Sequence, residues 1–264
     1  MIITLQIIFT NINQEKMKLI LVLVLSTLLL LNVSAQETVR LFGKVTDFNS
    51  IPIDSVSVLL KNDKFENLYK TMTDKDGNYS MAVPKGKYYC LYAIKSKDYL
   101  RTKLEYWAWN VPLYNDLNLN PQYERMEIYG VNAFEPQVGP FDTYIIYFRP
   151  MSLTNFLRFT NGRNIRELEQ KAYKNHDTID IAPNKISPDE LLIKINEKDA
   201  KVLTVQKIIE YTRGGYMYSY LVQVLKPQEL TATPEEFDKI SIILHSAETN
   251  EIGKSEVFVK TRNY

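Results

Sequence analysis

His245-Ser246-Ala247-Glu248 sets an imidazole and a carboxylate at a His-x-x-Glu spacing, which supplies two zinc ligands in a zinc-dependent peptidase. Such a centre needs a third protein ligand, in that case a second His well downstream. The residues after Glu248 contain no His, and the chain's other one, His176, lies upstream in a polar stretch. The segment around His245 instead reads as a strand leaving for a turn. Nucleophilic chemistry has no better footing. There is no Gly-x-Ser-x-Gly elbow. Cys90 has no His near it in sequence and sits in an apolar, alternating run, where burial keeps a thiol inert. The acid pair Glu235-Glu236 follows Thr233-Pro234, a turn context. No glycine-rich phosphate loop occurs. The chain is therefore expected to be neither an enzyme nor dependent on a metal or cofactor.

Asp74-Lys75-Asp76-Gly77-Asn78 offers oxygen ligands at alternate positions, as the start of a calcium loop does. A full loop also needs a bidentate acid near its end, and Tyr79 to Pro84 contains none. Asp and Asn tolerate tight turns and Gly77 supplies a positive φ, so Asp74, Asp76, Gly77 and Asn78 are expected to form a plain hairpin turn. Tyr106, Trp107, Trp109 and Tyr114 make an aromatic cluster holding both tryptophans of the chain. Sugar rings stack on exposed aromatic faces, and Trp offers the largest. The same residues equally suit packing between two domains. These four are the candidate ligand-binding residues.

The elements that position these groups are strands. Val39, Leu41, Gly43 and Val45 alternate with Arg40, Lys44 and Thr46; Val56, Val58 and Leu60 follow suit. Tyr79, Met81 and Val83 form another alternating set, and Tyr88, Cys90, Tyr92 and Ile94 are expected to share one face. Turn chemistry punctuates them at residues 47–50, 74–78 and 84–86. A second series follows the polar joint at 115–121. Met126–Val131, Tyr144–Phe148 and Tyr216–Leu225 read as strands, Leu191–Ile195 with Lys201–Val205 as a hairpin, and Ile240–Leu244 with Glu256–Val259 as another. Ile165, Leu168 and Ala172 stand at helical spacing in Asn164–Lys174. The expected fold is all-β: two β-sandwiches in tandem, at 38–115 and 120–264, the second immunoglobulin-like.

Composition agrees. Eighteen Tyr suit half-buried sheet surfaces. A formal charge of +1 with no basic run gives no footprint for nucleic acid. A single Cys excludes an intrachain disulfide. Lys16 and Lys18, the apolar run Leu19–Leu31 and the small residues before Gln36 have the pattern of a secretory signal peptide. Residues 1–35 are expected to be removed by cleavage between Ala35 and Gln36, with Met17 as the true start. Membrane contact is then confined to this segment before cleavage. The mature protein is expected in the periplasm, at the cell surface or outside the cell.

Gly43-Lys-Val45-Thr-Asp47, Ile51-Pro52-Ile53, Val56-Ser-Val58, Thr73–Tyr79 and Pro84-Lys-Gly86-Lys-Tyr88 stand in an order and spacing that resemble a carboxypeptidase regulatory-like domain over Val39–Tyr99. The resemblance implies a transthyretin-like sandwich of about seven strands. It implies neither peptidase activity nor regulation. Asp98-Tyr99 departs from the Gly-Tyr pair usual there, at one local turn. The combined expectation is an exported structural or interaction module of the cell envelope, whose partner is an envelope protein or a polysaccharide. A carbohydrate-binding accessory protein using Trp107 and Trp109 is the second reading, and a zinc-dependent peptidase the third.

Overall fold

A computed structural model describes residues 16–19, 22, 37–136, 142–212, 215–228 and 236–261. It divides into two units, Met1–Glu37 and Thr38–Tyr264. In the first, residues 16–19 and 22 are helical, with Met17, Leu19 and Val22 exposed. The rest of the expected export segment, including Ala35 and Gln36, lies outside the described residues. Among the described residues no helix is long and apolar enough to cross a membrane.

From Thr38 onward the protein is built of strands, as the alternation predicts. They are β1 (Thr38–Lys44), β2 (Ser57–Lys61), β3 (Asn67–Met72), β4 (Asn78–Pro84), β5 (Gly86–Ile94), β6 (Tyr106–Leu113), β7 (Leu117–Asn118), β8 (Met126–Phe134) and β9 (Thr143–Ser152). Helices α1 (Leu153–Thr160) and α2 (Ile165–Asn175) follow. Then come β10 (Leu191–Ile195), β11 (Lys198–Asp199), β12 (Lys201–Thr212), β13 (Gly215–Leu225), β14 (Phe237–Ser246) and β15 (Glu251–Lys260).

Three sheets result: β4-β1-β7, then β11-β10-β14-β15-β6-β5-β2-β3, then β12-β13-β9-β8. The eight-stranded sheet is common to both sandwiches. It crosses the joint at 115–120 because β6 pairs in parallel with β15, Trp107 opposite Ser255 and Trp109 opposite Val257. Its two faces serve two cores. Val58, Leu60, Leu91, Tyr106 and Ala108 pack with Leu41, Met81 and Val83 of the three-stranded sheet. Trp107, Trp109, Val257, Ile240 and Ile242 pack with Ile128, Ile146, Phe148 and Val222 of the four-stranded sheet. A strand covered on both faces reads as a continuous apolar run, and Tyr106–Leu113 is such a run, buried at every position but Asn110.

Three expectations change in detail. The turn at 74–78 is formed, but β3 and β4 lie in different sheets, so it carries the chain over the edge of the sandwich and does not close a hairpin. Likewise β10 pairs with the two-residue β11, whereas Lys201–Val205 begins β12 in the opposite sheet. Cys90 shares its core with Tyr92 but not with Tyr88 or Ile94, which face the first core. The reason is a shift of phase. In β6, Tyr106 and Ala108 face the first core, and so do Val111 and Leu113. Asn110, at φ 58° in the left-handed region, stands between them opposite Tyr89, and the β5–β6 register is the same on both sides of it, so the two strands reverse their alternation together there.

Helix α1 follows β9 without a loop. Ser152 caps it, its hydroxyl accepting from the Asn155 N–H at 3.1 Å. The buried Glu251 carboxylate accepts from the Ser152 hydroxyl, from the Thr154 N–H at 3.0 Å and from Arg125 Nε at 3.1 Å. A carboxylate there satisfies orphan amide groups and faces the positive end of the helix dipole.

Candidate functional site

The four expected ligand-binding residues separate. Tyr106 turns into the first core, where its hydroxyl donates to the buried Glu256 carboxylate. Trp107 and Trp109 turn to the opposite face and stack at 5.3 Å with 19° between their planes. Tyr129 of β8 meets both edge to face at 5.3 and 5.2 Å, and Tyr92 meets Trp107 at 4.8 Å. Exposure of the two indoles is only 6% and 5%. A sugar ring has no open indole face to stack on, so the platform expected at Trp107 and Trp109 is instead packing between the sheets. Tyr114 alone of the four is exposed, and its ring stacks on Phe237 at 6.3 Å.

The aromatic cluster reaches the surface elsewhere. Phe65, in the turn between β2 and β3, covers the indoles edge to face at 6.1 and 6.4 Å. Tyr89 packs against Phe65 at 5.5 Å and against Trp109 at 5.7 Å. Both Phe65 and Tyr89 are partly open to solvent. Asn62 fixes their turn, its side-chain oxygen accepting from the N–H groups of Lys64 and Glu66 at 3.1 and 2.9 Å. Neither was legible in the sequence: Tyr89 stands off the parity of Tyr88, Cys90 and Tyr92, and Phe65 lies in the polar turn between β2 and β3. The reversal of alternation at Tyr89 and Asn110 sets Tyr89 beside Trp109, and the turn folds Phe65 over both indoles.

Beneath the tryptophans lie two acids. Glu127 Oε1 accepts from Trp107 Nε1 at 2.8 Å. Glu105 is hydrogen-bonded by Tyr99, and its Oε2 finds no partner. Both residues are at least nine-tenths buried. Burial pushes the Glu105 carboxyl up to about 7. It lifts Glu127 well above the carboxylate range too, with the charge of Glu105 adding to the effect and Trp107 and Arg149 opposing it. Paired carboxylates of this kind hold a proton near neutral pH. Tyr99 holds Glu105 and Trp107 holds Glu127, and both acids lie close enough to Tyr92 to raise its hydroxyl.

The remaining candidates are each committed locally. His245 is exposed, its Nε2 hydrogen-bonded to Asn250 Oδ1 at 3.1 Å, while Glu248 accepts from the Asn184 N–H at 2.7 Å. His176 terminates α2 at φ 56°. No group of three or more potential metal ligands forms among the described residues. Cys90 is fully buried and desolvation pushes its thiol up to about 12, which removes the thiolate at neutral pH. Asp74 accepts from the N–H groups of Asp76 and Asn78 at 2.9 and 2.8 Å. The Asn78 N–H holds its carboxyl below the usual range. Gly77 stands at φ 76°. These oxygens tie the turn together.

What the fold does leave open is an edge. β12 runs twelve residues at the margin of the four-stranded sheet, paired with β13 on one side only. Leu203, Ile209 and Tyr211 stand exposed on it, Ile209 by 68% and Tyr211 by 63%. Its outer side presents a row of N–H and C=O groups that no strand among the described residues pairs with, and Leu203, Ile209 and Tyr211 stand there among the polar residues Lys201, Thr204, Gln206, Lys207 and Glu210. Its inner neighbours are held firmly. Glu210 forms an ion pair with Arg149 at 2.5 Å and accepts from the hydroxyls of Tyr147 and Ser219, both at 2.5 Å.

No family model matches the chain, and no curated protein matches it. Among solved structures it is similar to BcpA, the major pilin subunit of Bacillus cereus, at 11% identity and a TM-score of 0.26, over 85% of this chain and 69% of that one. It is similar to a DUF3823 family protein from Parabacteroides merdae at 12% identity and a TM-score of 0.24, over 84% and 98%. The full-length major pilin SpaD from Corynebacterium diphtheriae matches at 9% identity and a TM-score of 0.25, over 86% and 65%. Likeness at this level decides nothing about function.

Proposed function

We propose that this protein is an exported, non-catalytic interaction module of the cell envelope, acting at or beyond the cell surface. Its partner is an envelope protein that contributes an extended segment. The observation that carries this reading is the outer edge of β12, with Leu203, Ile209 and Tyr211 exposed along it. A segment added there gains main-chain hydrogen bonds for affinity, while alternate side chains set specificity. Export rests on the basic, apolar and small-residue sequence before Gln36. Kinship of the first sandwich with carboxypeptidase regulatory-like domains is part of the proposal and rests on the motif order over Val39–Tyr99.

A photo-crosslinking residue at Ile209 or Tyr211 of the full chain, in the cells that make it, tests the reading. Covalent adducts with a second polypeptide are expected at both positions and not at Lys75, in the turn after β3. Adducts at none of the three, or equally at all three, contradict it.

A further inference from the structure

We propose that the groove beside Tyr89 is a binding site for a neutral saccharide. The site goes beyond the edge of β12 and shares no residue with it. It is an open groove of about 340 Å³, inside the range of about 300–1,000 Å³ typical of small-ligand sites. Leu68, Tyr89, Asp63, Lys87 and Asn110 line it.

Two features fit a sugar. The first is a fixed aromatic ring. Tyr89 is held from two sides by the edge-to-face contacts with Phe65 and Trp109, yet more than a third of it stays open. A ring immobilised before the ligand arrives costs no ordering entropy on binding, and its face attracts the C–H surface of a pyranose. The second is the set of polar groups. Asp63, Lys87 and Asn110 bring a carboxylate, an ammonium and an amide to one groove. A carboxylate accepts, an ammonium donates and an amide does both, which matches the mixed hydroxyls of a sugar. Opposite charges on Asp63 and Lys87 leave the groove without a strong sign, so a neutral ring suits it better than a phosphate or a polyanion.

The test is affinity gel electrophoresis of the purified full chain in gels containing laminarin, yeast mannan, arabinoxylan or dextran. Retardation in at least one neutral polysaccharide is expected, weakened about tenfold in Tyr89→Ala and clearly reduced in Lys87→Ala and Asp63→Ala. Circular dichroism checks that each variant is folded. Asn110→Asp, which tolerates the same backbone conformation, is the variant of choice at that position. Unretarded wild-type protein in all four gels overturns the proposal, and so does retardation that Tyr89→Ala leaves unchanged. Binding to an immobilised peptide library, lost in the same variants, would reassign the groove to peptides. None of these outcomes bears on crosslinking at β12, so the two proposals stand or fall separately.

Discussion

Trp107 and Trp109 stack face to face in the second core, yet only Trp107 has a partner for its indole N–H. Trp107 Nε1 donates to Glu127, whereas Trp109 Nε1 is buried without an acceptor. Replacing each with Phe therefore separates packing from hydrogen bonding. Trp107→Phe takes a donor from a buried carboxyl group. Trp109→Phe removes a group already unsatisfied. Chemical denaturation should show Trp107→Phe the less stable of the two by about 1–3 kcal/mol. Equal losses would mean that the Glu127 contact contributes nothing.

The buried Glu105 carboxyl predicts how stability depends on pH. Its folded value of about 7 lies above the ordinary 4.5 of the unfolded chain. Between those values the folded protein keeps a proton that the unfolded chain has released. The stabilisation is complete below about 4.5 and is lost as pH rises through about 7. Glu105→Gln, which carries no charge, should melt higher than wild type at pH 8 and match it at pH 4. A variant that is less stable than wild type at pH 8 would refute this.

Two glycines should respond oppositely to alanine. A Cβ on Gly253 of β15 would lie 1.9 Å from the Met126 carbonyl oxygen of β8, so neither backbone can yield without moving a strand. Gly253→Ala should cost about 3 kcal/mol or more. Gly86, at the start of β5, has open space where the Cβ would go. Gly86→Ala should be neutral or stabilising by up to about 1 kcal/mol. Thermal unfolding of the pair gives the comparison directly.

Alternation made most strands legible, and with them the all-β class. Ile240–Leu244 and Tyr216–Leu225 carry their core faces openly, and Ile165, Leu168 and Ala172 at helical spacing announced α2. Pairing was not legible, because period-2 patterning names a strand's buried face and not its neighbour. Hence β4 and β12 were expected beside strands from which the fold separates them. Helix α1 went unseen since its cap, Ser152, is also the last residue of β9, and the acid completing the cap, Glu251, is 99 residues away. The acids Glu105, Glu127, Glu251 and Glu256 look like surface residues in sequence and become core residues only through distant partners. The candidate sites share that limit. Tyr89 takes meaning from the reversal of alternation opposite Asn110 and Phe65 from the turn that folds it over the indoles, while Ile209 and Tyr211 take theirs from β12 lying at a sheet margin.

The β12 edge bears most of the functional account, and native mass tests it most directly. Wild-type protein and the double variant Ile209→Lys/Tyr211→Lys are each extracted without denaturant from the producing cells and sized. Lysines at a sheet edge oppose strand addition and leave the cores untouched. Wild type is predicted to migrate in an assembly heavier than a single chain, and the variant at the mass of one chain. Wild type migrating as a lone chain, or a variant that keeps the heavier assembly, would contradict the account.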